Sequence, residues 1–380
     1  MTVAAGLTQG FNHDRYAAVR ASFEGNLASG ADVGASFCAT FEGETIVDLW
    51  GGFADEARTR PWERDTIVNV YSTTKTMTAL TALLLADRGE LDFDAPVARY
   101  WPEFAANGKE RVKVSHLMSH SAGLSGWKEE LAADDLYDWE KATALLAAQA
   151  PYWEPGTACG YHGMTQGFLI GEVVRRITGR TLGTVFREEI ARPLGADFHI
   201  GLPASEDARV ADLIPPPPGT GLGAGAQSEL SANMSNNPKL EVAVTRTRAW
   251  RGAEIPAAGG TGNARSVAEI HVILANGGVA NGKRFLSESG CRKALELQIE
   301  GQDLILNMPA RYGMGFGVAG GFMPLPNANS LFWGGYGGSL VVIDMDARTT
   351  FAYAMNKMAG TTTGDMRGFG LLMAMWEALA

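Results

Sequence analysis

Residues 68–89 read Val68-Asn69-Val70-Tyr71-Ser72-Thr73-Thr74-Lys75-Thr76-Met77-Thr78-Ala79-Leu80-Thr81-Ala82-Leu83-Leu84-Leu85-Ala86-Asp87-Arg88-Gly89. A β-like run from Thr66 to Val70 hands over to an apolar helix that stops near Gly89. Ser72 falls at or just before the first helical turn. Lys75 follows three residues later, so the two side chains share a face. The first N–H groups of a helix have no partner inside it and carry the positive end of the macrodipole. A serine there can attack a carbonyl while its own N–H helps to hold the oxyanion. A lysine one turn away, in a positive and poorly hydrated setting, is pushed toward its neutral form and can take the serine proton. The same residues also suit an ordinary helix cap followed by a lysine on the helix face, so the catalytic reading needs support from the rest of the chain.

Composition narrows the field. At 380 residues the chain can bury a large core, in about one to three domains. It is 46% hydrophobic and 19% charged, which fits a packed protein and not a disordered one. A net charge of −10 with no basic run argues against nucleic acid or an anionic membrane as partner. No segment is apolar for long enough to span a bilayer; the Ala79–Ala86 stretch reads as short and amphipathic. The N-terminus has no basic region and no sustained apolar run, so no export signal is expected. Three widely spaced cysteines, Cys38, Cys159 and Cys291, suggest neither a disulfide framework nor a metal site. A cytoplasmic location is therefore expected, with no metal and no cofactor. Cys159, two residues from Tyr161, reads as a small buried filler. The sequence sets no oligomeric state.

Strand signals concentrate at the two ends of the chain. Phe11 to Leu27 has a helical pattern, and Ala35–Phe41 and Thr45–Trp50 read as a hairpin around Glu42-Gly43-Glu44. Late in the chain, Tyr312–Val318 alternates glycine with apolar residues, Ser339–Ile343 and Thr349–Met355 form another hairpin, and a helix runs from about Asp365 to Leu379. The middle is mostly loops and helices, such as Lys141–Ala150, Met164–Thr178 and Thr184–Ala191. Pro215 to Pro218 and the glycine-rich run to Gly225 read as an exposed linker or flap, not a ligand site. The expected fold is α+β. One antiparallel sheet is built from both ends of the chain (residues 1–92 and 256–380), and helices flank it. A mainly helical domain, residues 93–255, is inserted between.

Two further segments carry possible chemistry. In Trp153-Glu-Pro-Gly-Thr-Ala-Cys-Gly-Tyr161-His162-Gly163 a Pro-Gly turn precedes a tyrosine and a helix begins just after. A tyrosine at such a junction can point into a cleft, and flanking cations would lower its phenol pKa and let it shuttle a proton. It could equally be a buried tyrosine with a satisfied hydroxyl. In Phe332-Trp333-Gly334-Gly335-Tyr336-Gly337-Gly338-Ser339, directly before a strand, glycines let a ligand approach the backbone, and a strand edge can offer a second oxyanion N–H. A plain glycine-rich turn is the alternative.

Together, these ordered segments resemble the class C β-lactamase superfamily of serine hydrolases, and within it the family VIII carboxylesterases. Val114-Ser-His-Leu-Met-Ser-His-Ser-Ala-Gly-Leu124, Trp153-Glu-Pro-Gly156 and Ala257-Ala-Gly-Gly-Thr-Gly-Asn-Ala-Arg-Ser266 carry the same likeness, which spans roughly residues 30 to 360. The resemblance implies Ser72 as nucleophile, Lys75 and Tyr161 as general bases, and an oxyanion hole from the N–H groups of Ser72 and Tyr336. It implies a β-lactamase/transpeptidase-like fold with the site between sheet and helical domain. Trp333, Gly334, Gly335 and His162 are expected to line the substrate pocket, although the His162 ring could also point away.

The departures from that family bear on specificity. Lactamases of this group carry Lys-Thr-Gly where this chain has Trp333-Gly334-Gly335, and Tyr-x-Asn where it has Tyr161-His162-Gly163. Losing a cation and an amide shifts the site from anionic lactams toward neutral esters. The expected activity is a serine carboxylesterase that hydrolyses short-chain esters through a covalent acyl-enzyme, with a small-molecule ester as its partner. The alternatives are a β-lactamase or D-amino-acid peptidase, an acyltransferase using the same residues, and a non-catalytic binding protein that kept the fold. Other signals point elsewhere than to function. Gly315-Phe-Gly317-Val-Ala-Gly320 lacks the helix of a dinucleotide site and reads as a glycine-rich strand and its end. No Gly-x-Ser-x-Gly elbow occurs. His116 and His120 read as packing or hydrogen-bonding residues.

Overall fold

The two ends of the chain meet in the middle of one sheet. The computed structural model describes residues 8–220, 228–320, 323 and 325–379. Its main sheet has nine antiparallel strands, in the spatial order Thr8–Asn12, Glu44–Gly52, Gly34–Phe41, Thr349–Met355, Leu340–Asp344, Ser330–Gly334, Gly317–Val318, Pro309–Tyr312 and Ile299–Gln302. The seam is the pairing of Gly34–Phe41 with Thr349–Met355, in register from Ala35 opposite Met355 to Phe41 opposite Thr349. Every residue of Thr349–Met355 is buried, because both faces of the sheet are covered. Thr350 donates its hydroxyl to Ala268 O of the helix Ala264–Ala275, while the next ring, Phe351, meets Trp376 of the helix Met366–Leu379. Neighbouring strand residues point to opposite faces, so these two helices sandwich the sheet.

The helix after Ser72 lies at the centre of the molecule. It spans Thr74–Asp87, and Thr74 to Leu85 are all buried. The Ala79–Ala86 stretch is thus packed on nearly all sides and not amphipathic, as a helix in the middle of a large core must be. Its threonines are tolerated because their hydroxyls find backbone oxygens: Thr76 bonds Thr73 O, Thr78 bonds Pro256 O and Thr81 bonds Met77 O, at 2.8, 2.7 and 2.8 Å. An unpaired buried hydroxyl would cost about 1–3 kcal/mol. Helices Thr165–Thr178 and Leu182–Phe186 of the middle segment pack directly on this helix. One buried cluster runs from the sheet through it into the helical region.

Four local expectations change. Phe11 lies in the edge strand Thr8–Asn12, and the helix begins only at Ala17; pairing with Glu44–Gly52 overrides a helical pattern too short to hold by itself. Tyr312–Val318 is not one strand. Pro309–Tyr312 and Gly317–Val318 are joined by a turn in which Gly315 has φ +90° and lies against Ala79 of the central helix. Trp333 and Gly334 close the strand Ser330–Gly334, and the segment through Ser339 then leads into the strand Leu340–Asp344 as expected. The helix Ala264–Ala275, unmarked in the sequence reading, is opened by a reciprocal cap between Asn263 and Ser266, at 2.9 and 3.2 Å. In the proline strap Pro215, Pro217 and Pro218 are exposed and Pro216 is half-buried, but the strap lines the cleft that contains Ser72, contrary to the expectation that it is no ligand site; the glycine-rich residues 221–225 lie outside the described residues.

Candidate active site

Ser72 sits in a short 3-10 turn, Tyr71–Thr73, that feeds the central helix. Tyr71 has φ +43°, a left-handed conformation that an aromatic residue adopts only when its surroundings enforce it. Those surroundings are specific. Tyr71 N–H donates to Asn69 Oδ1 at 3.2 Å, and Asn69 Nδ2 donates to Ala258 O at 3.0 Å. The Tyr71 ring packs edge-on against Tyr336, with centroids 5.4 Å apart. A small three-stranded sheet, Val68–Asn69, Thr261–Gly262 and Phe198–His199, runs the segment after Pro256 alongside the turn.

That neighbour supplies half of the lysine's environment. Lys75 Nζ lies 3.0 Å from Ser72 Oγ, 2.6 Å from Gly163 O and 3.0 Å from Ala257 O. It is 1% exposed, and burial drives its pKa well below the ordinary lysine value. The Tyr161 hydroxyl donates to Ser72 Oγ at 2.6 Å, and the Tyr161 ring lies 4.8 Å from Nζ. The structure thus brings Ser72, Lys75 and Tyr161 to one point. It corrects one detail. The phenol pKa does not fall: burial pushes it above the usual tyrosine range, against the pull of the Ser72 and Trp333 hydrogen bonds, with Asp303 adding to the rise. Among the described residues the amine beside it, Lys75, is itself held toward neutrality by burial, and no cation offsets the desolvation of the phenol.

Asp303 supports the site without any mark in the sequence. It is fully buried. Its Oδ1 accepts the backbone N–H groups of Tyr161, Ile305 and Leu306 at 3.1, 2.8 and 2.8 Å, and its Oδ2 accepts the Tyr312 hydroxyl at 2.8 Å. No local motif marks a lone aspartate 142 residues from the tyrosine it holds. Ser339 is a second such support. Its Oγ bonds Val70 O and Thr73 Oγ1, each at 2.9 Å, and pins the turn carrying Tyr336 onto the segment that carries Ser72.

The expected pocket residues separate. His162 is not among the residues that line the Ser72 cleft. It is fully buried, its Nε2 accepts Leu124 N–H at 3.0 Å and its Nδ1 donates to Gly160 O at 2.6 Å, so both ring nitrogens are taken up by the fold. Burial lowers its pKa to about 4. Gly335 has no room for a ligand; a Cβ there would collide with Val70 O and Ser339 Oγ. Its missing side chain lets protein backbone, not substrate, come close. Gly334 is likewise pressed on the backbone at Thr363. Trp333 stacks on His120, centroids 5.4 Å apart and planes 18° apart, and faces an apolar hollow beside Leu306, Met308 and Phe332. That hollow shares Tyr161 and Thr362 with the Ser72 cleft but lies beyond it. His120 accepts the His162 N–H at 3.0 Å, His116 packs under Gly156, and Cys159 is buried, all as expected for structural residues.

The cleft over Ser72 holds about 270 Å³. Ser72, Tyr161, Gly163 and Ala258 line it, together with the paired rings of Tyr71 and Tyr336. An activated hydroxyl, a desolvated amine and a neutral phenol in a largely apolar cleft can open a carbonyl by covalent attack.

Fold and site together define a serine hydrolase. The chain belongs to the beta-lactamase family: the Beta-lactamase family model matches residues 19–371. The Esterase/beta-lactamase LipL of Mycobacterium tuberculosis is 34% identical over 358 residues, 90% of this chain and 82% of LipL. The crystal structure of a family VIII carboxylesterase superimposes with a TM-score of 0.93 at 43% identity, covering 98% of this chain and 99% of that one. A penicillin-binding protein homologue from Caulobacter crescentus follows at 0.90 and 39%, over 98% and 99%. The family and the α+β fold expected from the motifs are thus those found.

Proposed function

We propose that this protein is a carboxylesterase that cleaves short-chain esters through an acyl-enzyme on Ser72, with Lys75 and Tyr161 moving the protons. One observation carries the reading: Ser72 Oγ is contacted at once by Lys75 Nζ, at 3.0 Å, and by the Tyr161 hydroxyl, at 2.6 Å. A neutral amine has two N–H bonds and one lone pair. Gly163 O and Ala257 O take the two N–H bonds, which leaves the lone pair for the Ser72 proton. The phenol, held neutral, donates to the serine oxygen. This assigns Lys75 as the base for acylation and Tyr161 as the acid.

Ser72 Oγ attacks the ester carbonyl as its proton passes to Lys75. The N–H groups of Ser72 and Tyr336 hold the oxyanion, each such donor being worth about 3 kcal/mol. The C–O bond to the alcohol breaks, the alkoxide takes the Tyr161 proton, and the ammonium of Lys75 restores the phenol. Water then repeats the sequence on the acyl-enzyme, releasing the acid and freeing Ser72. An ammonium formed at Nζ is sustained by the two carbonyls and by the Tyr161 ring.

LipL bears both names, esterase and beta-lactamase, which favours a slower lactam-opening activity from the same serine. Three buried free thiols fit the cytoplasmic setting proposed with this reading. The test is hydrolysis of p-nitrophenyl acetate and butyrate by wild type and Ser72→Ala, with mass spectrometry of the acylated peptide. Loss of turnover and of the acyl mark is expected. Wild-type rates in Ser72→Ala would end the proposal, and nitrocefin turned over as efficiently as butyrate would restore the lactamase alternative.

A further inference from the structure

A run of four prolines, Pro215–Pro218, followed by Gly219, lines the Ser72 cleft. The strap is fastened at both ends to the chain just past the strand Thr349–Met355. At its start Ile214 N–H donates to Asn356 O at 2.8 Å, and Met358 N–H donates to Ile214 O at 3.0 Å. At its end the Thr220 N–H and hydroxyl both donate to Pro217 O, at 3.1 and 2.7 Å. The Thr220 carbonyl then presses on Gly360, where a Cβ would collide with it. Each proline ring fixes φ and removes an N–H. The wall therefore loses little freedom when a ligand seats against it, and it presents hydrocarbon and carbonyls but no donor for an anion.

Met234, Pro238, Leu240 and Val242 line the same cleft. Among the described residues that line the cleft, Glu241 is the one with a formal charge, and none is lysine or arginine. A substrate carboxylate would meet a like charge there and no counter-ion.

We propose that Pro215–Pro218 and Glu241 select the substrate: the strap takes the hydrocarbon part of an uncharged ester, and Glu241 turns away esters and lactams that carry a carboxylate. This rests on Ser72 being the nucleophile. Each methylene buried on the strap gives about a fourfold gain in kcat/KM. Repulsion by Glu241 is strongest at low salt and weakens as the Debye length shrinks to about 10 Å near 0.1 M.

The experiment compares p-nitrophenyl acetate, p-nitrophenyl butyrate and the p-nitrophenyl monoester of glutaric acid. The enzymes are wild type, Pro216→Gly/Pro217→Gly and Glu241→Gln, each checked by thermal melting and by fluorophosphonate labelling of Ser72. In the proline variant the butyrate-to-acetate ratio of kcat/KM should fall about fivefold. In Glu241→Gln the monoglutarate-to-butyrate ratio should rise about fivefold at low salt, with the gain shrinking in salt. Unchanged ratios in folded, labelled enzyme would overturn the proposal and leave Ser72 standing. Wild-type enzyme that is neither labelled nor active would overturn the Ser72 reading itself. Should the proline variant fail to fold, the Glu241→Gln ratio and the wild-type dependence on acyl length decide alone; a flat response in both sinks the proposal.

Discussion

Asp303 accepts the backbone N–H of Tyr161 at 3.1 Å, across 142 residues of sequence. The same carboxylate holds the hydroxyl of Tyr312, whose ring packs with Trp333 and His120. The phenol that touches Ser72 is thus positioned from below by a buried anion, which also raises its pKa. Asp303→Asn keeps the shape and removes the charge. We expect kcat to fall about tenfold with KM nearly unchanged, since the hydrogen bonds that hold Tyr161 and Tyr312 lose their charge assistance and no substrate contact is lost. The alkaline limb of the pH–rate profile should move to lower pH as the phenol becomes easier to ionise. A normal kcat with an unmoved alkaline limb would reduce Asp303 to a packing residue.

Lys75 links activity to stability. Its folded-state pKa is well below the ordinary 10.5 of the unfolded chain. Between those two values the unfolded state binds the extra proton, so stability rises with pH across that window, and the contribution is lost as pH falls through the folded pKa. Lys75→Met should cut kcat/KM about a thousandfold. The melting temperature of wild type relative to Lys75→Met should climb steadily from neutral pH toward 10.5, read by calorimetry in matched buffers. A difference independent of pH would show that Lys75 is charged in the native state.

Gly335 tests the joint between the two halves of the site. Any side chain there meets Val70 O and Ser339 Oγ, so Gly335→Ala must push the Tyr336 turn off the Ser72 turn. We expect a loss of about 1–3 kcal/mol in stability, in the range for overpacking a tight site, and a fall in kcat larger than the change in KM. Denaturant melts and steady-state kinetics on p-nitrophenyl butyrate read the two effects. A variant with full activity would place the oxyanion donor elsewhere.

His162 provides the contrast. Replacing it by alanine strands Leu124 N–H and Gly160 O and opens a hole in the core. The melting temperature should drop by an amount equivalent to about 2–4 kcal/mol. KM for butyrate should stay within about threefold of wild type, because no substrate contact disappears. A large rise in KM in a stable variant would return His162 to the pocket.

The parts whose information is local could be read from the chain order alone. A serine at a helix mouth with a lysine one turn on, a tyrosine after a Pro-Gly turn and hairpins at both ends of the chain were legible from spacing and residue type, because a helix or hairpin is written in its own few residues. Long-range packing set what touches what. It took Phe11 from a helix into an edge strand by pairing it with a neighbour, and it turned His162 and Gly335 from pocket residues into supports. It brought Asp303 and Ser339 to the site from far along the chain, and laid Pro215–Pro218 against the cleft. A buried carboxylate or a glycine pressed on a distant carbonyl leaves no periodic trace in sequence. Its role exists only once long-range packing has excluded water and fixed its partner.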